Sequence, residues 1–204
     1  MSGLVKNPLV VPGGPWLQTY KGGAFTPTAP RVEDLDLDDI AHTLSNLCRF
    51  TGHTQSFYSV AQHCCRVATE LLHMQVDDPD VLLAGLLHDA AEAYVHDLPG
   101  PLKQLPALRA VYKPIELAVE DCIRRWAGLS EEAWSDPRIK VADVTLLRTE
   151  AGELMSPLHE SWSPEHHPDR GRAWHTPPWP PLVARRHFTE DFFVYSSGRL
   201  VREH

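Results

Sequence analysis

The chain has 204 residues, 43% of them apolar and 23% charged, which predicts one folded domain with a substantial core. The formal net charge of −8 excludes the broad basic face that a protein binding duplex nucleic acid needs. No apolar run reaches the roughly 18 residues of a membrane span, and the N-terminal apolar stretch is too short and interrupted for a secretory signal.

The first predicted elements lie in a Gly- and Pro-rich extension, residues 1–31, which precedes a single domain over residues 32–204. Within the extension, residues 16–26 (WLQTYKGGAFT) predict a small β-hairpin with a glycine turn. A first helix is predicted after Asp36 or Asp38, either of which can cap it, and a second from about 57 to 74. The expected inward residues of these two helices share helical spacing and are Ile40, Leu44, Leu47, Val60, Val67, Leu71 and Leu72.

Two Asp-Pro pairs predict the starts of two further helices. Asp78-Pro79 opens the most apolar one, residues 80–95 (DVLLAGLLHDAAEAYV), which we expect to be buried, and Asp136-Pro137 opens another over 138–155.

Between these two helices, the loop 96–106 leads to a helix at about 107–127, which Pro114 should kink or split. Residues 156–181, rich in Pro, Trp and His, predict an irregular segment before a last helix at about 182–195. The predicted fold is therefore all-α and globular, with a small N-terminal β-hairpin as an appendage outside the core.

The twelve histidines are the unusual feature of the composition. His88-Asp89 lies late in the most apolar helix, where burying both residues is costly unless they are paired or bind a metal. Glu92 follows four residues later on the same predicted helical face. His63 and Asp143 come from two other predicted helices, again among apolar neighbours. Two imidazoles and two carboxylates from three helices can enclose one divalent cation. This mixed set suits Co, Mn, Zn, Fe or Ni better than Ca, and Mg is a further candidate.

The metal site is predicted from the four residues together. Taken alone, His63 would be predicted to be an ordinary histidine of the core. The cysteines offer no competing metal site: Cys64 and Cys65 are adjacent, and no Cys-x-x-Cys occurs among the four in the chain. The same pattern disfavours a disulfide framework, so we expect a reducing cytoplasmic compartment.

The joint pattern of His63, His88-Asp89 and Asp143 resembles the HD superfamily of metal-dependent phosphohydrolases. Residues 88–103 (HDAAEAYVHDLPGPLK) resemble the core motif of its nucleotidase branch, in which His-Asp is followed by Glu and then by Asp-Leu-Pro-x-Pro-x-Lys. Residues 40–63 and the predicted hairpin resemble the same branch. Two of its groups are similar: bacterial deoxyribonucleoside 5′-monophosphatases, and the dATP triphosphohydrolases of bacteriophages that replace adenine with 2-aminoadenine.

The resemblance implies a role for each matching residue. The implied metal ligands are His63, His88, Asp89 and Asp143. Glu92 would orient or deprotonate the attacking water, and Asp97 would act near the reacting phosphate. The implied substrate contacts are Arg49, Phe50, Lys103 and Lys140: the three cations would contact phosphate or sugar, and the aromatic ring would pack against the deoxyribose and reject a 2′-hydroxyl.

Two residues depart from the pattern of the branch. Gln62 stands before His63 where Glu is common, which would alter a contact behind the metal ligand without changing the ligand itself. His96 stands where Gly is frequent, so we expect an altered loop beside the phosphate.

The resemblance implies an enzyme whose partner is a small-molecule deoxynucleotide, with a homo-oligomeric assembly. The leading interpretation is a dNTP triphosphohydrolase of the dATP type, in which water activated by the cation attacks the α-phosphorus and tripolyphosphate is released. The alternative is a deoxyribonucleoside 5′-monophosphatase. The short chain and the Asp-Leu-Pro loop disfavour a cyclic-nucleotide phosphodiesterase, and the full set of ligands disfavours a non-catalytic nucleotide-binding module. Base preference, native metal and oligomer number stay open.

Overall fold

Helices joined by short connections make up most of the chain in the computed structural model, which describes residues 10–11, 14–162 and 177–200. This architecture confirms the predicted all-α class. The α-helices of the described ranges, in chain order, are α1 (Leu37–Asn46), α2 (Val60–His73), α3 (Pro79–Leu87), α4 (Glu92–Val95), α5 (Gly100–Lys103), α6 (Pro106–Trp126), α7 (Glu131–Trp134), α8 (Pro137–Leu154) and α9 (Pro181–Leu200).

The predicted hairpin is present near the N-terminus. Strands β3 (Leu17–Gln18) and β4 (Ala24–Phe25) pair antiparallel, and a second small hairpin, which was not predicted, joins β1 (Val10–Val11) to β2 (Gly14–Pro15). Phe25 is fully buried, and its ring stacks on Tyr94 with centroids 3.9 Å apart. The hairpin therefore contributes to the core, so its prediction as an appendage is wrong, because Phe25 packs against a residue of the helical domain. The boundary between residues 1–31 and 32–204 stays a prediction.

Side-chain caps define the starts of α1, α2, α3 and α8, whereas α6 begins after Leu105 without one. The Asp36 carboxylate accepts a hydrogen bond from the backbone N–H of Asp38, and Asp78 and Asp136 cap α3 and α8 in the same way. Helix α2 begins at Val60, later than predicted, because Ser59 is its cap and pairs with Cys48 in an isolated antiparallel bridge. That bridge holds Ser59 in an extended conformation, which excludes it from the helix.

The apolar helix predicted over residues 80–95 is interrupted, contrary to the prediction. Helix α3 ends at Leu87, and the chain then makes tight turns in which the N–H of Ala90 donates to the Leu87 carbonyl (2.9 Å) and that of Glu92 to the Asp89 carbonyl (3.0 Å). Bonds across three residues replace the four-residue period of an α-helix. The argument that placed His88 and Glu92 on one continuous helical face therefore does not apply.

The later elements follow the prediction with three differences. Helix α6 runs through Pro114 as one helix, so the predicted split is wrong, and the short helix α5 forms inside the predicted loop 96–106. Helix α9 extends to Leu200, beyond the predicted end. Of the predicted irregular segment 156–181, residues 163–176 lie outside the described residues.

Helix α2 lies at the centre and packs against α1, α3, α8 and α9. Leu71 is fully buried, but Leu72 is 46% exposed, so the predicted inward position of Leu72 is wrong. A Cβ at Gly85 of α3 would collide with the Leu71 side chain, so glycine permits the close approach of these two helices. None of the helices in the described parts of the chain is both long and apolar enough to cross a membrane.

Gln62 fixes the chain that leads into α9 against α2. Its buried side-chain amide donates to the Pro177 carbonyl (3.2 Å) and accepts from the backbone N–H of Trp179 (2.8 Å). A carboxylate at this position would keep the acceptor but lose the donor. The departure from Glu noted in the sequence therefore has a structural role in this protein.

Candidate active site

Three of the predicted metal ligands converge at one point between helices. His63 lies on α2, His88 follows α3, and Asp143 lies on α8, and their ligand atoms are within 4.8 Å of one another. The distance from His63 Nε2 to Asp143 Oδ1 is 3.3 Å, and that from His88 Nε2 to the same oxygen is 3.9 Å. Asp89 joins them, because its Oδ2 lies 3.2 Å from His88 Nε2 and 3.8 Å from His63 Nε2. The structure therefore brings all four residues together.

The hydrogen bonds of both histidines leave Nε2 available as a ligand atom. His88 Nδ1 lies 2.8 Å from the Gly85 carbonyl, which only accepts, so Nδ1 carries the proton. His63 Nδ1 lies 3.1 Å from each carboxylate oxygen of Glu150. Within the described ranges, both Nε2 atoms are buried and have no hydrogen-bond partner. Two imidazole nitrogens aimed at the same point, beside carboxylates, fit a divalent transition metal, which would take the place of any proton held there.

The electrostatics of the cluster favour a cation. Burial alone would raise the pKa of Asp89, but His88, His63 and Arg49 hold it well below its usual value. Burial likewise opposes ionisation of Asp143, whose pKa is lowered by His63 and His88. Burial would also lower the pKa of His88, yet the Asp89 carboxylate raises it well above the ordinary value. The carboxylates thus hold a proton on the His88 imidazole, and a divalent cation bound at this point would displace that proton.

Glu150, which the sequence analysis missed, lies behind this cluster. It is fully buried on α8, where the Tyr58 hydroxyl donates to its Oε1 at 2.7 Å and Arg49 Nε lies 3.2 Å from its Oε2. Burial would raise the pKa of Glu150, but His63 and the arginines lower it to about 2. The signal available in the sequence was its spacing, because Glu150 follows Asp143 by seven residues and therefore lies on the same helical face.

Glu92, predicted to act on the attacking water, is a buried carboxylate next to the cluster. Its Oε2 has no hydrogen-bond partner among the described residues, and its Oε1 lies 4.0 Å from Lys103 Nζ. Burial and the charges of Asp89 and Asp97 raise the pKa of Glu92 well above its usual value. A buried, underbonded carboxyl of this kind can exchange a proton with a nearby reactant.

A cavity of about 370 Å³ lies beside the cluster, and its lining includes Arg49, Phe50, Asp97, Leu147, Met155 and Trp162. Arg49 connects this cavity to the ligands, because its Nη1 lies 3.4 Å from Asp89 Oδ2. Phe50 and the next residue have φ of +53° and +54°, a left-handed conformation rare for residues other than glycine. Strained backbone held at a cavity is typical of binding loops.

The remaining predicted contacts lie around the cluster and already have carboxylate partners. Lys103 Nζ donates to Glu116 at 2.7 Å. Lys140 Nζ lies 2.6 Å from Asp143 Oδ2, and its side chain is 76% exposed. Lys140 also lines a second cavity, of about 290 Å³, that opens on His88, Asp89 and Asp143. The structure thus brings both lysines near the cluster, and their contacts with substrate stay predictions.

Comparisons with known proteins agree with this arrangement. A family model described as 5′-deoxynucleotidase YfbR-like matches residues 46–131, a range that includes Arg49, His63, His88 and Asp89. The uncharacterized protein YfdR of Escherichia coli K12 is 38% identical over 139 residues, which cover 68% of this chain and 72% of that protein. An uncharacterized protein of Rhodobacter capsulatus is 30% identical over 147 residues, covering 68% of this chain and 72% of its own length. The chain therefore belongs to the YfbR-like 5′-deoxynucleotidase family of HD-domain phosphohydrolases.

Proposed function

We propose that this protein hydrolyses deoxyribonucleoside 5′-monophosphates to deoxynucleosides and inorganic phosphate. The family description favours this alternative over the dATP triphosphohydrolase that the sequence analysis placed first. The observation that carries the proposal is the convergence of His63 Nε2, His88 Nε2 and Asp143 Oδ1 beside the cavity that Arg49 and Phe50 line.

In this proposal His63, His88, Asp89 and Asp143 hold a divalent transition metal, with Co, Mn, Zn, Fe, Ni and Mg as candidates. Such a cation, when bound, lowers the pKa of water and offsets charge on a phosphate. The two carboxylates supply the charge that holds it, and the neutral imidazoles supply the nitrogen ligands.

The other residues bind the substrate and move protons. Glu92 takes a proton from the attacking water as the new oxygen–phosphorus bond forms, a role that its raised pKa suits. The bond from phosphorus to the 5′-oxygen breaks in the part of the cavity that Asp97 lines, and that oxygen takes up the proton that Glu92 removed from the water. Arg49, held beside Asp89, donates hydrogen bonds to the phosphate, and Lys103 and Lys140 add positive charge around it.

Phe50 selects the sugar in this proposal. A flat apolar ring against the deoxyribose leaves a 2′-hydroxyl without a hydrogen-bond partner, which costs about 1–3 kcal/mol. That free energy corresponds to a preference of roughly 5- to 150-fold for deoxyribonucleotides over ribonucleotides.

The charge of the site supports a monophosphate. Arg49 is paired with Asp89 and Glu150, Lys103 with Glu116, and Lys140 with Asp143. A monophosphate brings about two negative charges and a triphosphate roughly twice as many. Cations that already have carboxylate partners compensate the smaller charge more readily.

A chromatographic substrate screen tests the proposal. Deoxynucleoside monophosphates, deoxynucleoside triphosphates and the matching ribonucleotides are incubated with the protein and Co²⁺, Mn²⁺, Zn²⁺ or Mg²⁺. We expect deoxynucleoside and inorganic phosphate from the monophosphates, with much higher kcat/KM than from the triphosphates. Faster hydrolysis of dATP with release of tripolyphosphate would overturn the monophosphatase and favour the triphosphohydrolase.

Variants test the assigned residues. Alanine in place of any of the four ligands should abolish metal binding and activity together. Glu92→Gln should keep the metal and lower kcat by about 10²- to 10⁴-fold. Phe50→Ala should reduce the dAMP to AMP preference, whereas the control Phe57→Ala, seven residues on, should not. An unchanged preference in Phe50→Ala would remove it from the sugar site.

Assembly and compartment complete the proposal. The homo-oligomer and the cytoplasmic location that the sequence analysis predicted are retained here as predictions. Sedimentation equilibrium of the purified protein would measure the first, and a single monomeric species would refute it.

A further inference from the structure

One buried carboxylate touches both the metal-ligand cluster and the predicted phosphate-binding arginine. Glu150 is fully buried, and its two oxygens lie 3.1 Å from Nδ1 of His63. Its Oε2 lies 3.2 Å from Nε of Arg49, whose Nη1 is in turn 3.4 Å from Asp89. No other part of the proposed mechanism explains these contacts.

We propose that Glu150 is a positioning residue that orients His63 toward the metal site and Arg49 toward the substrate cavity. This inference rests on the proposed function, because it assumes that the cluster binds a metal.

The contact with His63 sets the tautomer of the imidazole. An ionised carboxylate only accepts hydrogen bonds, so Nδ1 of His63 must carry the proton and Nε2 keeps its lone pair. Rotating the ring by half a turn would place a carbon atom against Glu150 and lose the bond. Glu150 therefore fixes the identity and the direction of the ligand atom at once.

The contacts with a tyrosine and with the arginines hold Glu150 in place. The Tyr58 hydroxyl donates to Oε1 at 2.7 Å, and Arg66 Nη1 lies 3.7 Å from the same oxygen. The guanidinium of Arg49 is thereby held between two carboxylates, Glu150 and Asp89. An arginine fixed at both sides loses little conformational entropy when it binds a phosphate.

Metal binding by the full-length protein tests this inference without any substrate. Co²⁺ is titrated into metal-free wild type, Glu150→Gln, Glu150→Asp and Glu153→Gln, and followed by calorimetry and by the visible absorption of bound Co²⁺. Glu153 is the matched control, because it lies three residues further along α8 and also pairs with Arg66, at 3.7 Å. The melting temperature of each metal-free variant is measured in parallel.

We expect Glu150→Gln to bind Co²⁺ about 10- to 100-fold more weakly than wild type, with a changed absorption spectrum. Glu150→Asp, which keeps the charge on a shorter side chain, should fall between them, and Glu153→Gln should stay within twofold of wild type. If Glu150→Gln does not fold, the comparison between Glu150→Asp and Glu153→Gln takes its place.

A lower melting temperature with unchanged Co²⁺ affinity would show that Glu150 is only structural and would overturn the inference. Equal weakening in Glu153→Gln would also overturn it. A wild type that binds no Co²⁺ would refute the metal site and the inference together. A wild type that binds Co²⁺ but does not cleave monophosphates would refute only the proposed substrate.

Discussion

Replacing His96 with glycine should stabilise this protein, although the side chain lies beside the candidate active site. His96 follows α4 with φ of +71° and ψ of 155°, a region of conformational space that is almost exclusive to glycine. A residue other than glycine costs about 1–3 kcal/mol there. The conformation persists because the backbone N–H of His96 donates to the Glu92 carbonyl (2.9 Å) and its own carbonyl accepts from the Tyr112 hydroxyl (3.1 Å).

Both backbone hydrogen bonds survive in His96→Gly, and the exposed imidazole buries little surface. Glycine also lowers the free energy of unfolding by roughly 0.5–1 kcal/mol, because the unfolded chain is more flexible when it contains glycine. The net gain therefore lies between about 0 and 2.5 kcal/mol and centres near 1 kcal/mol, which corresponds to an increase of roughly 2–4 °C in melting temperature at the centre of the range.

Thermal unfolding followed by circular dichroism measures the effect, and Gln104→Gly is the matched control. Gln104 is also exposed at the end of a short helix of the same region, but its φ is −86°, so glycine relieves no strain there. The control should melt about 1–4 °C below wild type. A His96→Gly variant that melts at or below wild type would refute the argument from strain.

Three further outcomes follow from the packing and charges. Gln62→Glu places a carboxylate oxygen against a backbone carbonyl and should lower the melting temperature by roughly 2–10 °C; no decrease would contradict the described hydrogen bonds. Leu71→Ala should lower the free energy of unfolding, measured with urea, by about 2–5 kcal/mol, and Leu72→Ala should lower it by less than about 1 kcal/mol. Similar losses in the two variants would contradict the different burial of the two side chains. Burial opposes ionisation of Glu116, but Lys103 and a second lysine lower its pKa below 4.5. That stabilisation is present above about pH 4.5 and is lost as the pH falls. Between about pH 5 and pH 3, the melting temperature of Glu116→Gln should therefore fall less than that of the wild type, and an equal fall would contradict the ion pairs of Glu116.

Local signals in the sequence were sufficient for the caps and the long helices. Asp36, Asp78 and Asp136 begin helices because an Asx side chain satisfies a backbone N–H within two or three residues, an interaction that needs no tertiary contact. The start of α2 was predicted too early, because the extended conformation of its cap, Ser59, is fixed by pairing with Cys48, eleven residues away in the chain. The helical periodicity also wrongly predicted Leu72 to be buried, because the width of the buried face of α2 depends on which helices pack against it.

The candidate ligands could be predicted because their residue types and their spacing can be identified in the sequence. Their supporting contacts could not be predicted: the spacing from Asp143 indicates only the helical face of Glu150, whereas its contact with Tyr58 joins residues 92 positions apart that share no local motif. The break between α3 and α4 could not be predicted either, because it also depends on tertiary structure. Alanine-rich sequence around His88 favours a continuous helix, and only the tertiary structure shows the turns that replace it.

The burial of so many charged groups near α2 is consistent with stability because they are arranged in alternating signs. Arg66 and Arg49 flank the Glu150 carboxylate, and Arg49 also faces Asp89. An isolated buried charge would be costly, but each charge in this series has at least one opposite neighbour. The series ends at the carboxylates of the ligand cluster, which have the imidazoles as neighbours and a negative field left over. A divalent cation would complete the alternation, so the buried charges of this core are arranged as the proposed metal site requires.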